Sequence, residues 1–232
     1  EYAKTDHQLA LAAQTRLGLF ELKGGYHFSP YEGFPNQYMD MTSNKSWFLN
    51  GRYRGTFAWG DVDASVGYRD TAHRMDFLAD KQPGSMPMNT QIHSFTSAVK
   101  LSLPVGPHDT LRVGGDYQHQ GMDDWWPPVA GSMMMGPNPY ININNGRRAR
   151  LGLFGEWESH WTDRLSTSIG ARFDRVRMNT GDVQPYGTGM MNMADAMAAE
   201  AFNARSHRRT DNNWSATALA SWQASDLLAF EL

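Results

Sequence analysis

Between positions 46 and 59 the chain alternates with period two. Trp47, Leu49, Gly51, Tyr53, Gly55, Phe57 and Trp59 fall on one side, and Asn50, Arg52, Arg54 and Thr56 on the other. Successive side chains of a β-strand point to opposite faces, so this is a strand with one aromatic, apolar face and one charged face. Gly60-Asp61 follows as a tight hairpin signal. The next run sets Val62, Ala64, Val66 and Tyr68 against Asp63, Ser65, Arg69, Thr71 and His73. The same alternation returns in 95–103, 111–120, 149–161, 165–174 and 214–222, with shorter runs near Leu9 and from Phe20 to Phe28. The expected fold is all-β, an antiparallel up-and-down meander of about ten long strands.

A soluble β-sandwich also alternates, but three features favour an open segment of a transmembrane β-barrel. Many runs exceed the roughly five or six residues of a soluble strand and reach the roughly 9–11 that cross a bilayer at a tilt. The polar face is densely charged, as a watery lumen requires. Trp59, Trp161 and Trp222 sit beside short turns, as in an interfacial aromatic girdle. The short turns, at Gly60-Asp61, 106–109, 162–164 and 224–226, would be periplasmic, and the long loops extracellular.

Composition agrees. The 232 residues have a formal net charge of −3, with no basic surplus to suggest nucleic acid. Cysteine is absent, which removes disulfides and thiolate metal sites. The mean hydropathy is −0.56, and no run approaches the roughly 18–20 apolar residues of a membrane helix; alternating barrel strands average to polar in this way. No signal peptide opens the chain, and it stops inside the apolar run 227–232. Residues 1–232 therefore read as one partial barrel domain of a longer protein.

Candidate chemistry lies in the long loops. The 14 methionines avoid the short turns. Met39 and Met41, Met86 and Met88, Met133 to Met135, and Met190, Met191, Met193 and Met197 occupy the loops, while Met75, Met122 and Met178 lie where strands enter them. Thioether sulfur suits monovalent copper and imidazole suits copper generally, so one His and two or three Met from neighbouring loops could hold that ion. His73, His93, His119 and His207 are expected on the loop side, with His93 and His119 the favoured ligands; His7, His108 and His160 are expected near the short turns. Methionine also fills loop packing, and Met193 and Met197 could form the apolar side of a short helix over 193–202. Asp123-Asp124-Trp125-Trp126 before two prolines reads either as an aromatic platform facing a ligand or as an interfacial anchor. Asp40 and the Asp123-Asp124 pair could take a hard cation or simply remain solvated. No Gly-x-Ser-x-Gly, His-Glu-x-x-His or P-loop motif is present, so no enzyme and no resident cofactor are expected.

The stretches GFPNQYMDMT, HRMDFLADK with SMPMNT, DDWWPPVAGSMMMGPN, NINNGRRARLGLFGEWE and MNTGDVQPYG resemble the barrel of TonB-dependent outer-membrane receptors, nearest to a branch that looks related to copper receptors. That resemblance implies a 22-strand barrel in the full protein and a plug domain outside this segment. It also implies energy coupling through a TonB-ExbB-ExbD system, contact with outer-membrane lipid and uptake of a small metal or metal-chelate ligand. A ferric siderophore is the alternative ligand; an outer-membrane barrel enzyme and a soluble sandwich binding module are the alternatives of other classes.

Overall fold

The computed structural model describes residues 1–81 and 84–232. Ten strands follow one another in a single antiparallel sheet whose spatial order equals the chain order. They are β1 (Tyr2–Thr15), β2 (Gly18–Glu32), β3 (Asp40–Phe57), β4 (Gly60–Asp76), β5 (Met88–Pro104), β6 (Asp109–Trp126), β7 (Tyr140–Thr162), β8 (Leu165–Asn179), β9 (Arg209–Ser225) and β10 (Leu228–Glu231). One helix, α1 (Met193–Asn203), lies in the last long loop behind a 3-10 turn at Met190–Asn192. There is no second sheet among the described residues, which removes the sandwich. The first and last strands each pair with one neighbour, so the sheet is open. Among the described residues no helix is long and apolar enough to cross a membrane.

The connections alternate as expected. Turns at 16–17, 58–59, 105–108, 163–164 and 226–227 mark one end, and loops at 33–39, 77–87, 127–139 and 180–208 mark the other. Gly60 follows the second turn at φ 142°, a left-handed setting that glycine adopts without a Cβ penalty. The strands climb further into the loops than the sequence suggests. Residues 31–44, 122–146 and 178–209 read as loops, yet β2 runs to Glu32, β3 begins at Asp40, β6 runs to Trp126, β7 begins at Tyr140 and β8 reaches Asn179. Loop residues of Asn, Asp and Pro composition mask a ladder that cross-strand pairing sustains. His7 lies opposite Tyr26, well up β1, away from the turn end expected for it.

The sheet has no conventional core. Among the described residues, only Met39, Met41, Tyr186 and Ala199 are buried apolar residues. The large apolar side chains instead form one exposed band. Cross-strand rows show it directly: Leu49, Tyr68 and Phe95 align across β3 to β5, and Gly115, Leu153, Phe173 and Trp214 across β6 to β9. Leu153 is 52% exposed and Trp214 76%. On the opposite face Asp116 and Asp174 retain only 18% and 17% of their side-chain exposure. The polar face is thus the concave one and the apolar face the convex one. Apolar area of this extent is stabilised when lipid covers it, and the ladder between neighbouring strands pairs their backbone groups within the hydrocarbon.

The concave face is held by arginine–carboxylate pairs. Arg112 donates to Glu156 and Glu158 at 2.7 and 2.5 Å. Arg150 and Arg172 converge on Asp116 at 2.5 and 2.6 Å, and Arg172 also grips Asp174. Asp116, Gly152 and Asp174 form one row across β6, β7 and β8. A Cβ at Gly152 would strike the Arg172 guanidinium and the Asp116 carboxylate, so glycine is what lets Arg172 reach across the middle strand.

Candidate functional site: the loop end of the concave face

Three methionines meet on the concave face where β3, β4 and β5 enter their loops. Met41 is paired with Met75, and Met75 with Met88. Alternation counted back from Trp47 would put Met41 on the convex face. A register shift between Met41 and Ser43 turns it inward, the re-aiming that β-bulges perform beside functional sites. Trp126 continues the row one step past the Asn89–Trp125 pair. Its ring stands 5.6 Å from Tyr140, which stands 5.5 Å from Tyr186. The result is a strip of three thioethers followed by three aromatic rings.

His73 lies two residues below Met75 on the same face, in a row with Thr90 and Asp124. The Thr90 hydroxyl donates to Asp124 at 2.7 Å. His73 sits beyond the apolar band of β4, which ends at Tyr68. Burial pushes its imidazole below the usual range, and the Asp124 charge opposes that shift without cancelling it. A neutral imidazole beside three thioethers is a soft, uncharged donor set of the kind that suits monovalent copper. Met75 and His73 were legible only as loop-side residues; the register that joins them to Met41 and Met88 was not.

The remaining expected residues divide between regions. Met39 is 8% exposed and Met41 4%, and the segment carrying them is clamped by Asp40. That carboxylate is fully buried, meets Lys81 at 2.7 Å and accepts from the amides of Phe34 and Leu78. Burial alone would raise the Asp40 carboxyl, but Lys81 and the two amides outweigh it and hold it below the usual range. Asp40 is therefore a brace between the β2–β3 and β4–β5 loops. Among the described residues, no three His, Asp or Glu side chains converge as a metal-binding group. Asp123 accepts the Asn145 amide and Asp124 accepts from Thr90 and Asn142. Trp125 and Trp126 point to opposite faces: Trp126 joins the concave aromatic strip and Trp125 faces outward beside Asn89.

Met133 and Met134 are 84% and 55% exposed in the β6–β7 loop, beside the less exposed Met135. Met190, Met191 and Met193 are 87%, 57% and 53% exposed in the β8–β9 loop. These two loops are stitched together by Asn138 donating to the Tyr186 carbonyl and by the reciprocal Ile141–Gln184 amides. Met86 lies half-buried just before β5. The apolar side of α1 is Ala199, not Met193 and Met197, which project outward. His207 serves the loop itself, with its ring 4.4 Å from Phe202 and 2.9 Å from the Phe202 carbonyl. His93 and His119 do come together, with ring centroids 6.0 Å apart. Both stand on the convex face, in the rows of Asp70 and Phe95, so the wall separates them from the methionine row.

A two-faced, girdled meander with long loops at one end and a soft-donor strip on its concave side is the wall of an outer-membrane receptor barrel. Residues 2–230 match the TonB dependent receptor-like β-barrel family, and the chain belongs to it; this is a family of outer-membrane receptors rather than enzymes. Among solved structures the chain is similar to one described as "Copper transporter OprC", with a TM-score of 0.74 and 16% sequence identity. That likeness covers 97% of this chain and 34% of the transporter, so the chain spans about a third of its length. At this identity the likeness is one of fold. No curated protein sequence matches.

Proposed function

We propose that this chain is part of a TonB-dependent outer-membrane receptor that takes up a metal or metal chelate, with monovalent copper the ligand its donors suit best. The observation that carries the reading is the row Met41–Met75–Met88 with His73 beneath it. Met41 is buried beside the half-buried Met75 and Met88, and three thioethers on the lumen side of three adjacent strands are good first ligands for a soft cation. Exposed Met133, Met134, Met190 and Met191 would catch the ion above the rim, and the concave row would receive it. A plug domain outside the chain would close the lumen and couple release to a TonB-ExbB-ExbD system. The likeness in fold to a structure described as a copper transporter supports the same direction.

A ferric siderophore is the second reading, favoured by one observation: the Trp126–Tyr140–Tyr186 strip offers aromatic faces to a planar chelate. Titration of the full-length receptor with Cu(I) and with ferric chelates separates the two. Copper binding with an affinity that collapses in Met41→Leu/Met75→Leu/Met88→Leu supports the first. Binding of a ferric chelate alone, weakened by Trp126→Ala, supports the second.

A further inference from the structure

The convex face carries a basic depression that metal capture does not use. Tyr117 and His119 of β6, Arg147 and Ala149 of β7, Arg175 and Arg177 of β8, Arg208 just before β9 and Thr210 at its start surround a depression of about 630 Å³. Register places the strand residues of this set outward. His119, Ala149, Arg177 and Thr210 form one row, and Tyr117, Leu151, Arg175 and Asn212 the row beneath. The next row down is Gly115, Leu153, Phe173 and Trp214, with the Phe173 and Trp214 rings 4.9 Å apart. Along β8 the outward positions Leu165, Thr167, Ile169, Ala171 and Phe173 cover about the 9–11 residues that a tilted strand needs to cross hydrocarbon. Arg175 and Arg177 therefore stand just past its boundary, at headgroup level, on the long-loop side.

All four arginines are exposed. Among the described residues none of them lies within ion-pair distance of a carboxylate, whereas Arg52, Arg54, Arg112, Arg150 and Arg172 on the concave face are all paired. Among the described residues Arg147 bonds only to the Asn145 amide oxygen. Crowded guanidiniums repel one another and leave their forked donors free, and phosphate is the anion that matches that fork. The turn end of the convex face has no such cluster: it shows Trp59, Trp161 and Trp222, and Arg164 there is paired with Asp226.

We infer that Arg147, Arg175, Arg177 and Arg208 form a seat for the phosphate groups of an outer-leaflet glycolipid headgroup, with Tyr117, Phe173 and Trp214 flanking its acyl chains. The seat depends on the long loops facing outward and is independent of which ligand the lumen carries.

The test is lipid retention by the full-length receptor purified in non-ionic detergent. The probes are lipopolysaccharide carrying its lipid phosphates, the same lipid after phosphatase treatment, and inorganic phosphate. Removing one cation near a headgroup costs roughly fivefold in binding, so Arg175→Gln/Arg177→Gln should retain the intact lipid roughly thirtyfold less well. The dephosphorylated lipid should bind the unaltered receptor no better than the intact lipid binds the variant, and copper titration of the variant should be unchanged. Equal retention by variant and parent overturns the seat. Inorganic phosphate binding as tightly as the lipid overturns the lipid assignment. Where the variant fails to assemble, the parent alone decides: retention must fall steeply as salt rises, and a flat response contradicts the inference.

Discussion

The two faces of this wall use arginine in opposite ways. On the concave face Arg52, Arg112, Arg150 and Arg172 are each tied to one or two carboxylates across neighbouring strands. At the long-loop end of the convex face Arg147, Arg175, Arg177 and Arg208 lie beyond the apolar band, exposed and with no carboxylate in reach among the described residues. Among the described residues Arg148, beside Met178, and Arg69, over the Phe48 ring, are concave arginines without an ion pair. The contrast follows from solvent. A lumen wall must neutralise its own charge where side chains crowd inward, while a lipid wall can carry charge only where a headgroup or water receives it. Methionine divides by position as well: Met41, Met75 and Met88 lie in strands on the concave face, while Met133 and Met190 lie exposed in the long loops.

The sharpest way to break this comparison is to move charge across the wall. Leu153→Arg on the convex band should destabilise the full-length barrel by about 2–4 kcal/mol and reduce its assembly, as cations do at the bilayer midplane. Ser168→Arg, on the concave face one strand away, should be nearly neutral. Urea unfolding of the full-length receptor in bilayers measures both; equal costs would mean the faces are wrongly assigned. Next in size is Gly152→Val. It forces Arg172 off Asp116 and should cost about 1–3 kcal/mol by leaving that carboxylate short of a donor; Gly155→Val, where a Cβ meets only ordinary contact, should cost much less.

A pH series sharpens the concave site. Burial holds His73 below the ordinary imidazole value of about 6.5, so it is neutral at and above that pH in the folded protein. The unfolded chain takes up a proton first, so stability from this group is present at neutral pH and is lost as pH falls below about 6.5 toward the lower folded value. Copper binding should likewise hold steady at neutral pH and weaken only in that acid range. His73→Gln should lower affinity at neutral pH and flatten the acid limb. An unchanged acid limb would remove His73 from the site. The smallest expected effect is Glu158→Gln, which leaves Arg112 with Glu156 and should cost about 1 kcal/mol or less because the pair is part-exposed.

Much of this was legible in the sequence for physical reasons. Period-two runs such as Trp47 to Trp59 report the face of each residue directly, and glycines mark tight turns such as Gly60. The meander order follows from short turns alternating with long loops. The site was less legible, because register near the loops is set by bulges rather than by alternation. Nothing in DMTSN announces the shift that turns Met41 inward to Met75. His93 and His119 read as loop-end ligands by position, and only the rows containing Asp70, Phe95 and Ala149 show that they face outward. Trp125 and Trp126 are adjacent in sequence, so a strand must send them to opposite faces, and their loop-like composition concealed that strand.

The central claim is that Met41, Met75, Met88 and His73 form one soft-donor site on the lumen wall. X-ray absorption at the copper edge of the full-length receptor loaded with one equivalent of Cu(I) tests it most directly. The expected spectrum shows a first shell dominated by sulfur with one nitrogen, the nitrogen lost in His73→Gln and the sulfur depleted in Met75→Leu. A shell of oxygen and nitrogen only, or a sulfur shell unchanged in both variants, would contradict it.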